Sequence, residues 1–288
     1  MCRPAERGVA LLAATVALAA LSLTAVGLAR SSLLDQRLTQ NALAALQADA
    51  LLRSGVAAAA VALAEVGDAP DTLRAPWTQR SGRQPLGAGW VEVRLEDEAR
   101  RLDLNLMPPD VLRALCRQVG VDPTLVDALA DWIDADDTTR PHGAERPFYR
   151  GLGLVGPANA PLRTVGALAL VHGFDAETVA RLRPFVTVAG EPSVNPNTAP
   201  REVLLALDPA LAPLVALRDS RYVDPGEIET LVPGLAPTTA GRLTARGSTY
   251  TAHVIAGVGD LRQAVDALLR APGGAEPEVV AWRPVTPP

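Results

Sequence analysis

The chain has 288 residues and a formal net charge of −5, so it is long enough for one large or two small domains beside a membrane helix. No block of basic residues follows the N-terminal leader, which argues against a nucleic acid as the main partner. One of the two cysteines, Cys2, precedes the apolar N-terminal run. The other, Cys116, lies in an apolar helical pattern typical of a buried, unreactive thiol.

The first predicted element is a long helix that starts in the membrane. A short polar leader ends at Gly8, and an uncharged apolar run covers residues 9–29. At ~1.5 Å per residue this run is roughly 30 Å long, enough to cross a bilayer core. The run passes without Pro into further helix-favouring sequence, which indicates a retained helix rather than a cleaved secretory signal. Arg3 and Arg7 precede it, so the positive-inside bias predicts a cytoplasmic N-terminus and places the bulk of the chain in the periplasm.

The same helix is expected to continue from Val9 to Glu65 and to become amphipathic in its second half. Gly67 and Pro70 predict its end, and Gly55 is expected to be a weak point inside it. The residues expected on its apolar face are Leu34, Leu38, Ala42, Ala45, Leu46, Leu52, Val56 and Leu63.

Strand patterns stand before and after a long helical region. Residues 68–89 are interpreted as a loop, and Trp90 to Glu96 alternates apolar and polar residues, as a half-buried strand does. Thr249 to Ile255, Leu261 to Leu269 and Glu278 to Trp282 form the later strands, although the second of these could also be a short helix. This order predicts an α+β fold, a small sheet with an all-α insertion between its strands. Two separate domains in series is the competing interpretation.

The helical region contains an internal repeat. The segment from Asn105 to Leu115 and the segment from Asn197 to Leu207 share the form N-x-x-P-x-[DE]-V-L-x-A-L. Each part suits a helix start, where the polar side chain caps free N–H groups, Pro fits the first turn and the acid favours the positive helix end. The repeat therefore indicates either two helix N-termini of one style or a duplicated helical unit.

Acidic residues are densest between Asp131 and Glu145, where four Asp and one Glu fall within fifteen residues. Hard oxygen ligands on a flexible loop suit Ca²⁺, although the spacing is not that of an EF-hand. A solvated acidic loop in which Asp acts as cap and turn former is the alternative. The sequence has no H-E-x-x-H, G-x-S-x-G, P-loop or C-x-x-C motif, and we do not expect an enzyme.

The N-terminus resembles that of type IV pilins and pseudopilins, which a prepilin peptidase cuts after a Gly that precedes the apolar helix. The matching bond lies between Gly8 and Val9, and methylation of the new N-terminus belongs to the same resemblance. The fifth mature residue is normally Glu, whereas this chain has Ala13. In such fibres the Glu is thought to offset the N-terminal amine of a neighbouring subunit, so its absence suits a subunit with no neighbour above it.

The rest of the chain resembles the K-type minor pseudopilins of bacterial type II secretion, and the likeness covers nearly the whole chain. The segments that carry it occur in order: Leu104 to Leu106, Asp131 to Asp136, Gly143 to Glu145, Tyr149, Asn159 to Leu162, Leu182 to Pro184, Val194 to Ala199, Ala267 to Arg270 and Val280 to Arg283.

The resemblance implies a pilin-like antiparallel sheet with a large helical insertion, and a Ca²⁺ site near Asp134, Asp136, Asp137 and Glu145. Members usually have an acid after that Glu, whereas this chain has Arg146. The domains expected from it are a leader at 1–8, a transmembrane part at 9–29, a first pilin-like part at 30–101, an inserted α-helical domain at 102–243 and closing strands at 244–288.

The function implied is that of a minor pseudopilin at the pseudopilus tip, which initiates assembly for protein export across the outer membrane. Its expected partners are the I- and J-type minor pseudopilins, the inner-membrane assembly platform and the prepilin peptidase. The alternatives are a minor pilin of a type IV pilus and a membrane-anchored DNA receptor of the helix-hairpin-helix kind. The latter needs a Gly-rich hairpin, but the corresponding segment from Asp208 to Pro213 has no Gly and begins with an acid.

Overall fold

The computed structural model describes residues 4–67, 69, 72, 82–272 and 276–287, and of residues 4–10 and 13 only the backbone. The helices are α1 (Pro4–Val66), α2 (Pro109–Gln118), α3 (Leu125–Ile133), α4 (Arg146–Gly151), α5 (Ala176–Leu182), α6 (Arg201–Leu207), α7 (Ala212–Ser220), α8 (Ile228–Leu231) and α9 (Pro237–Ala240). The strands are β1 (Gln84–Leu86), β2 (Gly89–Asp97), β3 (Leu102–Asp103), β4 (Val186–Thr187), β5 (Thr249–Val258), β6 (Leu261–Arg270) and β7 (Glu278–Val285).

The main sheet has five antiparallel strands in the order β1-β2-β5-β6-β7. Strands β5 and β6 form a hairpin around Gly259, whose φ of 57° suits a tight turn. The segment that could have been a short helix is therefore strand β6, paired along its whole length with β5. Strand β1 lies in the stretch expected to be a loop. The sequence did not predict it, because its three residues are too few to show an alternating pattern.

Helix α1 covers one face of this sheet with its C-terminal half. Leu52, Val56 and Leu63 are buried against the sheet, as the apolar pattern predicts. Leu38 and Leu46 are not, with exposed fractions of 66% and 71%. The buried stripe of α1 begins only at residue 48, so Leu38 lies before the contact with the sheet, whereas Leu46 lies on the side of the helix opposite to the buried Ala48.

The N-terminal part of α1 has the length and composition of a membrane span. The helical residues 14–66 include an apolar window with a mean hydropathy of 1.6. No part of that window is buried within the described chain. Gly55, expected to weaken the helix, lies at a point where the helix packs tightly against the sheet. A methyl group there would come within 2.5 Å of Val254 Cγ1 and 2.8 Å of Val91 Cγ2.

The insertion leaves the sheet after β2 and returns at β5, its direct neighbour. It has a hydrophobic core of its own, separate from the core between α1 and the sheet. The α+β architecture with an inserted helical domain is therefore confirmed. The insertion is not purely helical, however, because β3 and β4 pair in parallel inside it.

The repeat is a duplicated unit, and its two asparagines are not helix caps. Pro108 and Pro200 are the N-cap residues of α2 and α6, and neither helix has a side-chain cap. Asn105 instead binds both backbone groups of a distant residue: its Nδ2 donates to Leu162 O at 3.1 Å and its Oδ1 accepts from Leu162 N at 2.8 Å.

Asn197 repeats this arrangement in the second unit. Its Nδ2 donates to Val223 O at 2.9 Å and its Oδ1 accepts from Val223 N at 2.8 Å. Later in each unit a glycine with positive φ precedes a short helix, Gly173 at 84° and Gly234 at 83°. The insertion is thus built from two copies of one helical motif.

Candidate metal centre

Three aspartates on α3 and at its C-terminus face the acidic loop. Asp127, Asp131 and Asp134 are spaced at i, i+4 and i+7, which puts them on one side of the helix. The apolar residues Val126, Leu129 and Trp132 occupy the other side and pack into the core of the insertion. The amphipathic pattern of α3 therefore orients a row of carboxylates towards residues 135–145.

Asp131 is the anchor of this loop. Its carboxylate is fully buried, accepts from Arg140 N at 3.2 Å and pairs with Arg140 Nη1 at 2.6 Å. One turn earlier, Asp127 Oδ2 accepts from His142 N at 3.3 Å. A methyl group on Gly143 would overlap the Asp131 carboxylate, so only Gly allows the loop to lie this close to α3. These contacts fold the loop back onto the helix.

Glu145 is buried at the end of the loop without a partner. It is 1% exposed, and both carboxylate oxygens lack a hydrogen-bond partner within the described chain. Burial raises the pKa of Glu145, and the charges of Asp131, Asp134 and Asp137 raise it further. A buried carboxylate without a donor is unfavourable by itself, and a bound cation would compensate its charge.

Two further carboxylates meet Glu145. Ligand oxygens of Asp134, Asp136 and Glu145 lie within 4.8 Å of one another, and the Oδ1 atom of Asp134 is also buried without a partner. The donor set is all oxygen and consists of carboxylates, which fits Ca²⁺. Asp137, the fourth residue expected here, lies apart from this group. It is largely exposed, and its Oδ1 is 3.8 Å from Arg146 Nε.

Asn159 is a residue of the site that the acidic pattern does not reveal. Its Nδ2 donates to the backbone oxygen of Asp136 at 3.2 Å, while its own Oδ1 is buried without a partner. It has a φ of 45°, the one positive value among described residues other than glycine. A positive φ at a residue other than glycine is a signal of strain, but it is visible only in the structure.

The other singled-out residues lie elsewhere. Gly8 and Val9 are within α1, where the backbone alone is described. Cys116 is buried in the insertion, as predicted, and burial raises the pKa of its thiol to about 11, which disfavours the reactive thiolate.

Comparison with known proteins gives a consistent family. The family model "Type II secretion system (T2SS), protein K" matches residues 95–191, a region that includes α3 and the whole acidic loop. The type II secretion system protein K of Klebsiella pneumoniae is 29% identical over 241 residues, which cover 74% of this chain and 73% of that protein. The putative type II secretion system protein K of Escherichia coli K12 is 31% identical over 152 residues, 45% of this chain and 46% of that protein.

The fold is also found in a solved structure. A chain in the crystal structure of the GspK-GspI-GspJ complex from the type 2 secretion system of enterotoxigenic Escherichia coli superposes with a TM-score of 0.71 at 21% identity. The match covers 88% of this chain and 98% of that one, so it includes both the sheet and the insertion. With the long apolar N-terminal helix and the helical insertion, these matches support a K-type minor pseudopilin of the type II secretion system.

Proposed function

We propose that this minor pseudopilin occupies the tip of the pseudopilus and starts its assembly, together with I- and J-type minor pseudopilins. The observation that carries the proposal is the insertion between β2 and β5. Its two connections lie at one end of the sheet, where Asp97 pairs with Tyr250. A domain with a separate core at that end widens the subunit, so a further subunit added beyond it would collide with the insertion. The crystal structure with the same fold is that of a GspK-GspI-GspJ complex, which supports the choice of partners.

The copy number in purified pseudopili tests this placement. A tip subunit is present in a constant amount per fibre, so its ratio to the major subunit falls as fibres lengthen. Deletion of the protein should reduce the number of fibres more than their length. A ratio that stays constant with fibre length would contradict the tip position and indicate a subunit along the shaft. Pull-down of the full-length chain in detergent with the I- and J-type proteins checks the partners.

The N-terminal helix is proposed to insert into the inner membrane with the leader in the cytoplasm and the sheet in the periplasm. The assembly platform in that membrane would then receive the processed chain. Processing by the prepilin peptidase would cut between Gly8 and Val9, and methylation would modify the new amino group. Intact mass spectrometry of the chain from a secreting strain should give a methylated protein that begins at Val9. A mass that includes the leader, or one that begins elsewhere, would rule out this processing.

The role proposed is structural and not enzymatic. The alternative of a DNA receptor finds no support at the segment where a phosphate would bind. There the Asp208 carboxylate accepts from Ala210 N at 2.9 Å, so an acid already occupies that backbone donor. A salt titration of DNA binding separates the two roles, since phosphate contacts weaken steeply with salt. Strong, salt-sensitive binding would favour the receptor.

We also propose that Asp134, Asp136 and Glu145 hold one Ca²⁺ ion, with Asp137 outside the group. The ion would supply positive charge to buried carboxylates and join the loop to α3. Thermal melting of the full-length chain in detergent, with EDTA and with Ca²⁺, tests the site. Binding to the folded state alone must raise the melting temperature. An equal shift with Mg²⁺ would indicate a general charge effect, and no shift at millimolar Ca²⁺ would reject the site.

A further inference from the structure

The Arg140 side chain carries a positive charge and lies beside the proposed metal centre. Its Nη1 atom lies 2.6 Å from Asp131 Oδ1 and 2.5 Å from Asp134 Oδ2. The Arg140 side chain is 38% exposed, whereas Asp131 is fully buried. The guanidinium therefore neutralises a carboxylate that water does not reach, and it extends to a second carboxylate that belongs to the metal group.

The two oxygens of Asp134 face different partners. Oδ2 accepts from Arg140, while Oδ1 is buried without a partner and belongs to a carboxylate of the group formed with Asp136 and Glu145. An ion bound through Oδ1 would share this carboxylate with the guanidinium. The two positive charges would then lie on opposite oxygens of one carboxylate, close enough to repel each other strongly.

We propose that Arg140 is a tethered counter-cation that sets the Ca²⁺ affinity of this site and keeps it low. The proposal rests on the Ca²⁺ site proposed above. In the chain without the ion, Arg140 offsets the charge of Asp131 and the charge on the Asp134 oxygen that it contacts. When the ion binds, the same charge opposes it.

A positioning role would have the opposite effect, because loss of a clamp would loosen the loop and weaken binding. The loop, however, is held at other points. Arg140 N donates to Asp131 Oδ2, His142 N donates to Asp127 Oδ2, and Ala144 is fully buried. These contacts do not use the guanidinium, so the loop stays folded without it. The loss of repulsion therefore decides the sign, and removal of the charge tightens binding.

The test compares R140Q with R113Q in the full-length chain in detergent. Arg113 is a matched control: it pairs with Asp127 Oδ1 at 2.6 Å, its side chain is 37% exposed, and its loss changes the net charge equally. Asp127 precedes Asp134 by seven residues, about 10 Å along the helix, where screening reduces the effect of a charge. Isothermal titration with Ca²⁺ should give a dissociation constant at least about tenfold lower in R140Q, and within about twofold of the unchanged chain in R113Q.

Other outcomes would overturn the proposal. An unchanged or higher dissociation constant in R140Q would mean that the guanidinium positions the loop rather than opposing the ion. A gain of about tenfold in R140K, which keeps the charge, would assign the effect to side-chain shape. An R140Q chain that remains unfolded at saturating Ca²⁺ would show that the loop depends on the guanidinium. No binding by any variant would reject the Ca²⁺ site itself, whereas equal binding by all would keep the site and reject only the role of Arg140.

Discussion

His253 and Glu96 face each other across strands β5 and β2, with His253 Nε2 at 3.4 Å from Glu96 Oε2. Glu96 also forms ion pairs with Arg100 and Arg101, which lie where the chain leaves the sheet for the insertion. The other nitrogen of His253 contacts Asp266 on β6 at 2.7 Å. A partly buried histidine therefore links three strands to the connection that supports the inserted domain.

This histidine should make the stability of the protein depend on pH above neutrality. Burial alone would lower the pKa of His253, but hydrogen bonds to Asp266 and Glu96 and the charges of both carboxylates outweigh it and raise the pKa to about 9. Because the pKa of His253 is higher in the folded than in the unfolded state, protonation of its ring stabilises the fold. This contribution is complete below the unfolded-state pKa of 6.5 and is lost as the pH rises through 9. We expect the free energy of unfolding to fall by on the order of 3 kcal/mol between pH 6 and pH 9.5.

Urea unfolding of the unchanged chain and of His253→Gln measures this window. The variant should be less stable at pH 6 and should show little further loss up to pH 9.5. Glu96 does not titrate in this range: burial would raise its pKa, but His253, Arg101, Arg100 and Arg94 hold it far below the usual value. A parallel fall of both curves would assign the pH dependence to other groups.

The duplicated asparagines give a second prediction. Asn105→Ala and Asn197→Ala each leave a buried backbone N–H and C=O without their partner, at Leu162 and at Val223. Each change should lower the free energy of unfolding by about 1–3 kcal/mol. Asn197→Ala should have the larger effect, because all of its bonds are buried. Asn41→Ala, on an exposed turn of α1, is the control and should change stability by less than about 0.5 kcal/mol. Equal effects of all three would show that the asparagines do not clamp the two units.

The sequence revealed the repeat but not what its asparagines do. The motif N-x-x-P is local, and a local pattern near a helix start favours capping. The partners of Asn105 and Asn197 lie 57 and 26 residues further along the chain. Only the packed fold brings such separated backbone groups together, so no spacing rule could have identified them.

The acidic composition of the proposed metal centre was predictable from the sequence, but the burial of its individual residues was not. The acidic density between Asp131 and Glu145 identified the loop, and the family resemblance selected four residues of it. Burial then distinguishes them: Glu145 is enclosed without a partner, whereas Asp137 is exposed and pairs with Arg146. The role of Asn159 depends on its backbone conformation, which a sequence pattern of charges does not contain.

Gly55 provides a test of the contact between α1 and the sheet. Gly55→Val places a branched side chain where even a methyl group would press on Val254 and Val91, both of them buried. Overpacking of this kind should lower the free energy of unfolding by about 1–3 kcal/mol, despite the better helix propensity of Val. Ala58→Val, on the exposed side of the same helix, should change it by less than about 0.5 kcal/mol. Chemical denaturation of both variants measures the difference, and equal stabilities would mean that the helix does not lie this close to the sheet.

The buried Glu145 carboxylate should lower the free energy of unfolding when no ion is bound. Its carboxylate is buried without a donor beside other acids, and burial raises its pKa, so the charged form is held at a penalty in EDTA. Glu145→Gln removes the charge and keeps the shape, and it should raise the free energy of unfolding in EDTA by about 1–2 kcal/mol while abolishing the stabilisation by Ca²⁺. Asp137→Asn, at the exposed carboxylate beside Arg146, should change neither quantity appreciably. A Glu145→Gln chain that is less stable in EDTA would show that the carboxylate has a partner within the protein and does not await a cation.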